Sequence, residues 1–152
     1  MEAKTRERHE RGRTELLRLL EAVTEKMNTD RRAPGMTSKE TIEAYFRSLK
    51  SKNGWEAYLA ENMAFTSLTS PVRRVAGRAA YLEATKKFYG AIAAVDVKSM
   101  MVEGNRVCAL THYQLQPPGG AEFDCHVAEV FEVGDGKIHS LDIYFDTAPF
   151  PK

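Results

Sequence analysis

The last third of the chain is a series of short apolar segments separated by turns. The strand-like segments cover residues 97–102, 106–116, 121–133 and 137–145. The residues between them are rich in Gly, Asn, Asp and Pro, which tight turns favour. Three such turns in succession predict antiparallel hairpins that form a meander. This sheet is the part of the fold around which the rest of the chain must be arranged.

Helical patterns precede the strands. Thr37 provides an N-cap for a helix whose apolar face is Ile42, Tyr45, Phe46 and Leu49. The spacing of Trp55, Leu59 and Met63 predicts a second short helix, and residues 64–69 resemble a strand. A third helix is expected over 78–93, after Gly77. Helices followed by an antiparallel sheet predict an α+β domain.

The first 35 residues differ from the rest. Leu16, Leu20, Val23 and Met27 form one apolar stripe in an otherwise charged segment, which predicts an amphipathic helix over residues 1–28. A linker with Pro and Gly follows, so we expect a helix and linker over 1–35 and a domain over 36–152. The stripe could dock on the domain, pair with a second copy, or be dispensable.

Composition excludes several classes of function. The chain has 152 residues, 43% hydrophobic residues and a net charge of +1, which favours one globular domain without affinity for nucleic acid or membranes. The charged N-terminus does not resemble a signal peptide, so a cytoplasmic protein is expected. Cys108 and Cys125 are expected to be buried thiols. No metal ion is expected, because Cys and His lack the spacing of zinc ligands, and no cofactor is expected either.

The order of these features carries a resemblance. The two helices, the strand ending near Pro71, the helix after Gly77 and the meander ending in Tyr144-Phe145-Asp146 resemble the nuclear-transport-factor-2-like superfamily, and within it the SnoaL-like group. The resemblance covers about residues 37–147. It implies a cone-shaped, cystatin-like fold, in which three helices pack in a strongly curved antiparallel sheet around a pocket. It also implies a homodimer and a small hydrophobic ligand.

One carboxylate stands out in the third long strand. Side chains alternate along a strand, so Cys125, Val127, Glu129, Phe131 and Val133 share a face. That face is the more apolar one and should point toward the helices. Burial disfavours the charged form of a carboxylate and raises its pKa toward the range useful for proton transfer. Glu129 is therefore the first candidate for a catalytic residue.

The second candidate depends on the strand register. A symmetric hairpin around residues 117–120 places Glu129 opposite Cys108 and turns His112 into the pocket, where it could relay a proton. A bulge in the same loop would instead turn Thr111 and Tyr113 inward. The remaining expected pocket residues follow from the apolar patterns and from the resemblance. They are Tyr45, Phe46, Trp55, Tyr58, Ser70, Phe88, Phe131, Ile143 and Phe145.

Two chemistries of similar proteins fit poorly. The resemblance aligns Ser70 with the aspartate base of steroid isomerases, and serine cannot abstract a carbon-bound proton unaided. It aligns Leu110, His112 and Ile143 with the Asp–Arg–Asp set of limonene-type epoxide hydrolases, so that set is absent. Closure of a polyketide by one pocket carboxyl remains compatible with Glu129.

Two functions are therefore carried forward. The first is a cofactor-independent isomerase, cyclase or lyase acting on a hydrophobic carbonyl or polyketide-like substrate through Glu129. The second is a non-catalytic ligand-binding or association module. In either case we expect a homodimer through the convex sheet face, because the outward side chains are too apolar for solvent. The expected outward set is Val107, Ala109, Thr111, Tyr113, Ala128 and Val130.

Overall fold

A computed structural model describes residues 36–150, together with Arg18. The amphipathic helix and linker predicted over 1–35 otherwise lie outside the described residues. Within residues 36–150 the chain forms two α-helices, a short 3₁₀ helix and six strands. In chain order these are α1 (Ser38–Ser51), the 3₁₀ helix (Trp55–Tyr58), β1 (Leu59–Ser67), β2 (Arg73–Ala76), α2 (Arg78–Ala91), β3 (Ile92–Glu103), β4 (Arg106–Leu115), β5 (Phe123–Gly134) and β6 (Lys137–Phe145). The predicted α+β class is confirmed.

The ends of α1 lie where the sequence predicts them. The Thr37 side chain accepts a hydrogen bond from the backbone N–H of Glu40, which satisfies one of the free donors of the first turn. Lys52 adopts a left-handed conformation and ends the helix through N–H bonds to the last turn. The predicted apolar face, including Ile42 and Leu49, is buried.

The short second helix predicted from Trp55, Leu59 and Met63 is only partly present, and its extension to Met63 is wrong. Only the residues from Trp55 to Tyr58 form a turn of 3₁₀ helix, and β1 begins at Leu59. A spacing of four residues, as between Leu59 and Met63, suits one face of a strand as well as one face of a helix. The alternation of buried Met63, Phe65 and Ser67 decides for the strand.

The strands form one sheet of mixed direction. The order is β2-β1-β6-β5-β4-β3, with β1 and β6 parallel and every other neighbouring pair antiparallel. The three-turn meander predicted from the sequence is the antiparallel block from β3 to β6. Register shifts within the β1–β6, β3–β4 and β5–β6 pairs mark irregularities of the kind that bend strands.

The register of β4 and β5 differs from the symmetric hairpin. Glu129 pairs with Ala109 instead of Cys108, and Cys125 pairs with Tyr113 instead of His112. The strands end at Leu115 and Phe123, so an odd number of residues connects them. A shift of one residue turns every side chain of a strand to the other face. The alternative, with Thr111 and Tyr113 inward, is the observed one.

This register also corrects the predicted convex face. Val107, Ala109, Thr111 and Tyr113 are buried on the inner face, against α1 and α2, so their assignment to the outer face is wrong. Ala128 and Val130 do lie on the outer face, half-buried. The outward side chains of β4 are instead Cys108, Leu110, His112 and Gln114.

The core lies between the helices and the inner sheet face. Tyr45 of α1 contacts Phe46, Trp55 and Phe131 edge to face, with ring centroids 5.1, 6.4 and 5.8 Å apart. Packing of α2 is mainly against β1 and β2. Within residues 36–150, neither α-helix has the length and apolar character that a bilayer crossing requires.

Candidate functional site

Glu129 is buried on the inner face of β5 and held by three hydrogen bonds. Its side chain is 4% exposed. The Thr111 hydroxyl donates to Oε2 at 2.8 Å. The Tyr113 hydroxyl donates to Oε1 at 2.9 Å and to Oε2 at 3.0 Å. Both donors are on β4, the neighbouring strand, so the sheet register itself positions the carboxyl group.

The environment of Glu129 shifts its acidity toward neutral pH. Burial raises the pKa of this carboxyl to about 7, while the hydrogen bonds from Thr111 and Tyr113 lower it. Desolvation is the larger effect because no cation pairs with the carboxylate among the described residues. A group with this pKa is populated in both protonation states at pH 7, as a general acid or base requires.

A cavity of about 190 Å³ lies against the Glu129 carboxyl. Its wall is largely apolar and aromatic, and it comes from α2, β1, β2, β5, β6 and the C-terminal segment. The lining residues are Phe65, Ser67, Arg73, Val75, Tyr81, Ala84, Thr85, Phe88, Tyr89, Cys125, Val127, Glu129, Leu141, Ile143, Phe145 and Phe150. Apolar walls with few polar groups are typical of small-molecule sites.

A tyrosine cluster borders the same cavity. The hydroxyl of Tyr89 is hydrogen-bonded to that of Tyr81 and, at 3.1 Å, to that of Tyr45. Trp55 stacks on the Tyr89 ring, with centroids 4.1 Å apart. Burial raises the pKa of all three phenols well above the ordinary value, and the charge of Glu129 adds to the rise. The three hydroxyls therefore stay protonated at neutral pH.

The cluster has one more donor than its internal bonds use. Three hydroxyls carry three protons, and the two bonds within the cluster use two of them. No protein acceptor for the third proton is present among the described residues. Tyr81 and Tyr89 line the cavity. One phenolic O–H can therefore donate to a molecule in the cavity.

The predicted pocket residues divide into two groups. Phe88, Ile143 and Phe145 line the cavity. Tyr45, Phe46, Trp55 and Phe131 belong to the buried core behind it, and Tyr58 packs against that core. They are not among the residues that line this cavity, because α1 packs its aromatic residues against the sheet and the α-helical part of the wall comes from α2.

Ser70 is a further residue of the predicted wall that does not line the cavity. It lies exposed in the connection between β1 and β2, outside the cavity lining. The inner-face hydroxyl of this region belongs instead to Ser67, the last residue of β1. Side chains alternate along a strand, so Ser67 lies on the same inner face as Met63 and Phe65. This could have been predicted if the strand had been recognised from Leu59 onward.

The predicted placement of His112 beside Glu129 is wrong. His112 lies on the outer face, where its Nε2 is 3.0 Å from Oδ1 of Asp124. Its ring stacks on His126, the directly opposed residue of β5, with centroids 4.7 Å apart. The observed register differs by one residue from the symmetric hairpin, so His112 faces outward, and Thr111 and Tyr113 face Glu129.

Several lining residues were not predicted as part of the site. Tyr81, Thr85 and Tyr89 are on α2, of which only Phe88 was predicted to be a pocket residue. Arg73 of β2 was missed because a four-residue edge strand gives little periodic signal. Among the described residues, no group of three or more His, Cys, Asp or Glu side chains is arranged to hold a metal ion. Cys108 and Cys125 are free thiols.

Solved structures share this fold at low sequence identity. A candidate SnoaL-like polyketide cyclase from Jannaschia sp. CCS1 is 18% identical, with a TM-score of 0.62 over 76% of this chain and 93% of that one. An NTF2-like protein from Burkholderia thailandensis E264 is 16% identical, with a TM-score of 0.64 over 74% and 93%. An LEH-like epoxide hydrolase from M. tuberculosis is 21% identical, with a TM-score of 0.62 over 74% and 84%.

These similarities establish the nuclear-transport-factor-2-like fold and no more. No curated protein matches the sequence at a significant level. The SnoaL-like domain family does match, over residues 42–141, which is well over half of the chain. The matched region contains β1, α2, Glu129 and the other cavity-lining residues up to Leu141. The chain belongs to the SnoaL-like domain family.

Proposed function

We propose that the protein is a proton-transfer enzyme for a small, largely apolar carbonyl compound, with Glu129 as the general acid and base. The observation that supports this most strongly is the position of Glu129. It is a carboxyl group on the wall of an apolar cavity, with a pKa of about 7. Burial of an ionisable group without a paired cation costs stability, and such groups concentrate at functional sites.

The proposed reaction begins with the carboxylate form of Glu129. It removes a proton from a carbon next to the substrate carbonyl, which converts the carbonyl to an enolate. A phenolic O–H of Tyr81 or Tyr89 donates to the enolate oxygen as negative charge develops there. The protonated Glu129 then returns the proton to another carbon, or protonates the oxygen formed by ring closure. Isomerisation and aldol-type cyclisation both follow this scheme.

Thr111 and Tyr113 are positioning residues in this scheme. They hold the carboxylate from the β4 side and are not part of the cavity lining. Their hydrogen bonds offset part of the desolvation of the charged form, and so keep the pKa near neutrality. Without them a buried carboxyl would stay protonated at neutral pH and would be a poor base.

The activities named for structural neighbours differ in how well they fit. A polyketide cyclase needs one carboxyl acid or base in an apolar pocket, which Glu129 provides. Epoxide hydrolysis of the limonene type needs an Asp–Arg–Asp set. The inner-face residues nearest Glu129 on the adjacent strands, Ala109 and Ile143, carry no charge. We therefore favour carbonyl chemistry over epoxide hydrolysis.

A non-catalytic ligand-binding module is the alternative, and one observation favours it. The two carboxylate oxygens of Glu129 already accept hydrogen bonds from Thr111 and Tyr113. A buried carboxyl whose oxygens all have hydrogen-bond partners can have a purely structural role, here to fix the pairing of β4 with β5. The two functions differ in whether Glu129 exchanges a proton with a molecule in the cavity.

The test is hydrogen exchange into an apolar carbon acid. β-Tetralone in heavy water exchanges the protons next to its carbonyl, and NMR follows the loss of signal. The protein should accelerate this exchange, and Glu129→Gln should reduce the acceleration at least about 100-fold, as expected for loss of a general base. Glu132→Gln is the matched control, because Glu132 is on the same strand but faces outward.

The two outcomes separate the functions. Loss of exchange in Glu129→Gln with full activity in Glu132→Gln supports the enzyme. Equal exchange by the wild type and Glu129→Gln would overturn it and leave the binding module. Binding of β-tetralone, measured by calorimetry on the same variants, shows whether the pocket itself is intact.

A further inference from the structure

We propose that the molecule bound in this cavity carries a carboxylate, which Arg73 and Ser67 bind at the end of the pocket remote from Glu129. This inference rests on the proposed function in one respect, which is that the cavity is the ligand-binding site. It adds the substrate class: an amphipathic acid whose apolar body lies between the two polar ends.

The geometry comes from the sheet register. Arg73 pairs with Ser67, Ser67 with Ile143, and Ile143 with Glu129. These four residues form one row across β2, β1, β6 and β5, and all of them line the cavity. Neighbouring strands are about 4.8 Å apart, so the backbones of Arg73 and Glu129 are at most about 14 Å apart. A curved sheet brings the two side chains closer still.

The two arginines of β2 differ in the face that they occupy. Charged residues on an edge strand protect it from pairing with other chains, which would account for both Arg73 and Arg74. However, Arg73 pairs with Ser67 on the cavity side, while Arg74 pairs with Thr66 on the opposite side. Within residues 36–150, Arg73 forms no ion pair and no side-chain hydrogen bond. Its guanidinium is free to bind a ligand.

Ser67 provides a second hydrogen-bond donor on the cavity wall, beside Arg73. Its side chain is 7% exposed and lines the cavity. Among the described residues its hydroxyl has no hydrogen-bond partner, whereas the nearby Thr85 hydroxyl donates to the Tyr81 carbonyl oxygen at 2.7 Å. No fully enclosed side-chain oxygen or nitrogen of the described residues lacks a partner, so the Ser67 hydroxyl opens onto the cavity, where it can donate a hydrogen bond to a ligand atom.

The charge of the lining favours an anion. Arg73 and Glu129 are the charged groups among the lining residues. When Glu129 is protonated, the net charge of the lining is positive. A guanidinium and a hydroxyl together form the donor set that a carboxylate accepts well.

The experiment compares two probes of equal length, octanoate and octanol, by calorimetry at about pH 6, where octanoate is ionised and Glu129 is mostly protonated. The wild type should bind octanoate more tightly than octanol. Arg73→Gln should weaken octanoate binding by roughly tenfold and leave octanol binding within about twofold, since only the charge-assisted contact is lost. Ser67→Ala should weaken octanoate by a smaller factor. Arg74→Gln is the matched control and should change neither affinity.

Three results would overturn the inference. The first is equal affinity of the wild type for the two probes, and the second is an equal loss of octanoate affinity in Arg73→Gln and Arg74→Gln. The third is absence of octanoate binding to the folded wild type. The folding of each variant is checked by its thermal unfolding. Glu129→Gln should still discriminate octanoate from octanol, so failure of the catalytic proposal and failure of this one give different results.

Discussion

The hydroxyl of Tyr113 contacts both oxygens of the Glu129 carboxylate, at 2.9 and 3.0 Å, across the β4–β5 pair. This contact exists only in the observed register, in which Tyr113 and Glu129 are on the same sheet face. The seven-residue connection between β4 and β5 sets this register, and the register in turn affects the pKa of Glu129. The acidity of Glu129 therefore depends on a pairing of β4 with β5 that a shift of one residue would abolish.

Removing this hydroxyl should raise the pKa of Glu129 further. The hydrogen bond from Tyr113 stabilises the charged form and lowers the pKa of Glu129, whereas desolvation raises it. Tyr113→Phe removes the lowering effect. We expect the pKa to rise above 7, and the pH at which exchange of β-tetralone is half-maximal to rise with it. Tyr144→Phe, on the exposed face of β6, should leave both unchanged. A fall in the pKa on Tyr113→Phe would contradict the assigned hydrogen bond.

Glu129 should make the protein less stable as pH rises. Its pKa is raised from 4.5 to about 7 on folding. Its stabilising contribution is therefore fully present below the unfolded-state pKa and is lost as pH rises through the folded-state value. Between about pH 5 and about pH 8 the wild type should lose roughly 2–3 kcal/mol that Glu129→Gln does not lose. Urea unfolding of both proteins at the two pH values measures this difference, and parallel pH dependences would contradict the burial of the carboxyl.

His112 should have no role in proton transfer. Its ring lies on the outer face, between Asp124 and His126. His112→Asn should leave the rate of β-tetralone exchange and its pH profile within about twofold of the wild type, because no atom of the residue reaches the cavity. Loss of exchange in this variant would contradict the observed register, because His112 faces the cavity only in the symmetric hairpin.

The outer sheet face remains our candidate for a homodimer interface. Leu110 pairs with Ala128, which pairs with Tyr144, so an apolar row crosses β4, β5 and β6. Leu110 is 40% and Tyr144 53% exposed. Sedimentation should show a dimer at micromolar concentration, and Leu110→Asp should produce a monomer by placing a charge in the contact. Val72→Asp, an exposed loop substitution, should leave the dimer intact, and a wild-type monomer would contradict the prediction.

The local patterns of the sequence predicted most of the strands and both α-helices. The Thr37 cap and the turns at Gly104 and Gly136 mark element ends through backbone requirements that are local. β1 was partly missed because Leu59 and Met63 satisfy two periodicities at once. Which of them applies is decided by pairing with β6, almost 80 residues further along the chain.

The site was less predictable than the fold, for the same reason. Glu129 could be identified because an isolated carboxylate in an alternating apolar strand is a local signal. Its partners could not be, since their identity depends on the register of β4, and both registers satisfy the alternation of that strand. Arg73 belongs to the site through three successive strand pairings, none of which is encoded near Arg73 itself.

The central claim is that Glu129 is a buried carboxyl group that gains and loses its proton near neutral pH. Carbon NMR of protein labelled at the glutamate carboxyl carbon measures this pKa directly, and Glu129→Gln assigns the signal. The structure predicts a titration midpoint of about 7, well above the ordinary value for a glutamate carboxyl. A midpoint close to the ordinary value of 4.5 would contradict the account, because a carboxyl that titrates there is solvated and has no special role in proton transfer.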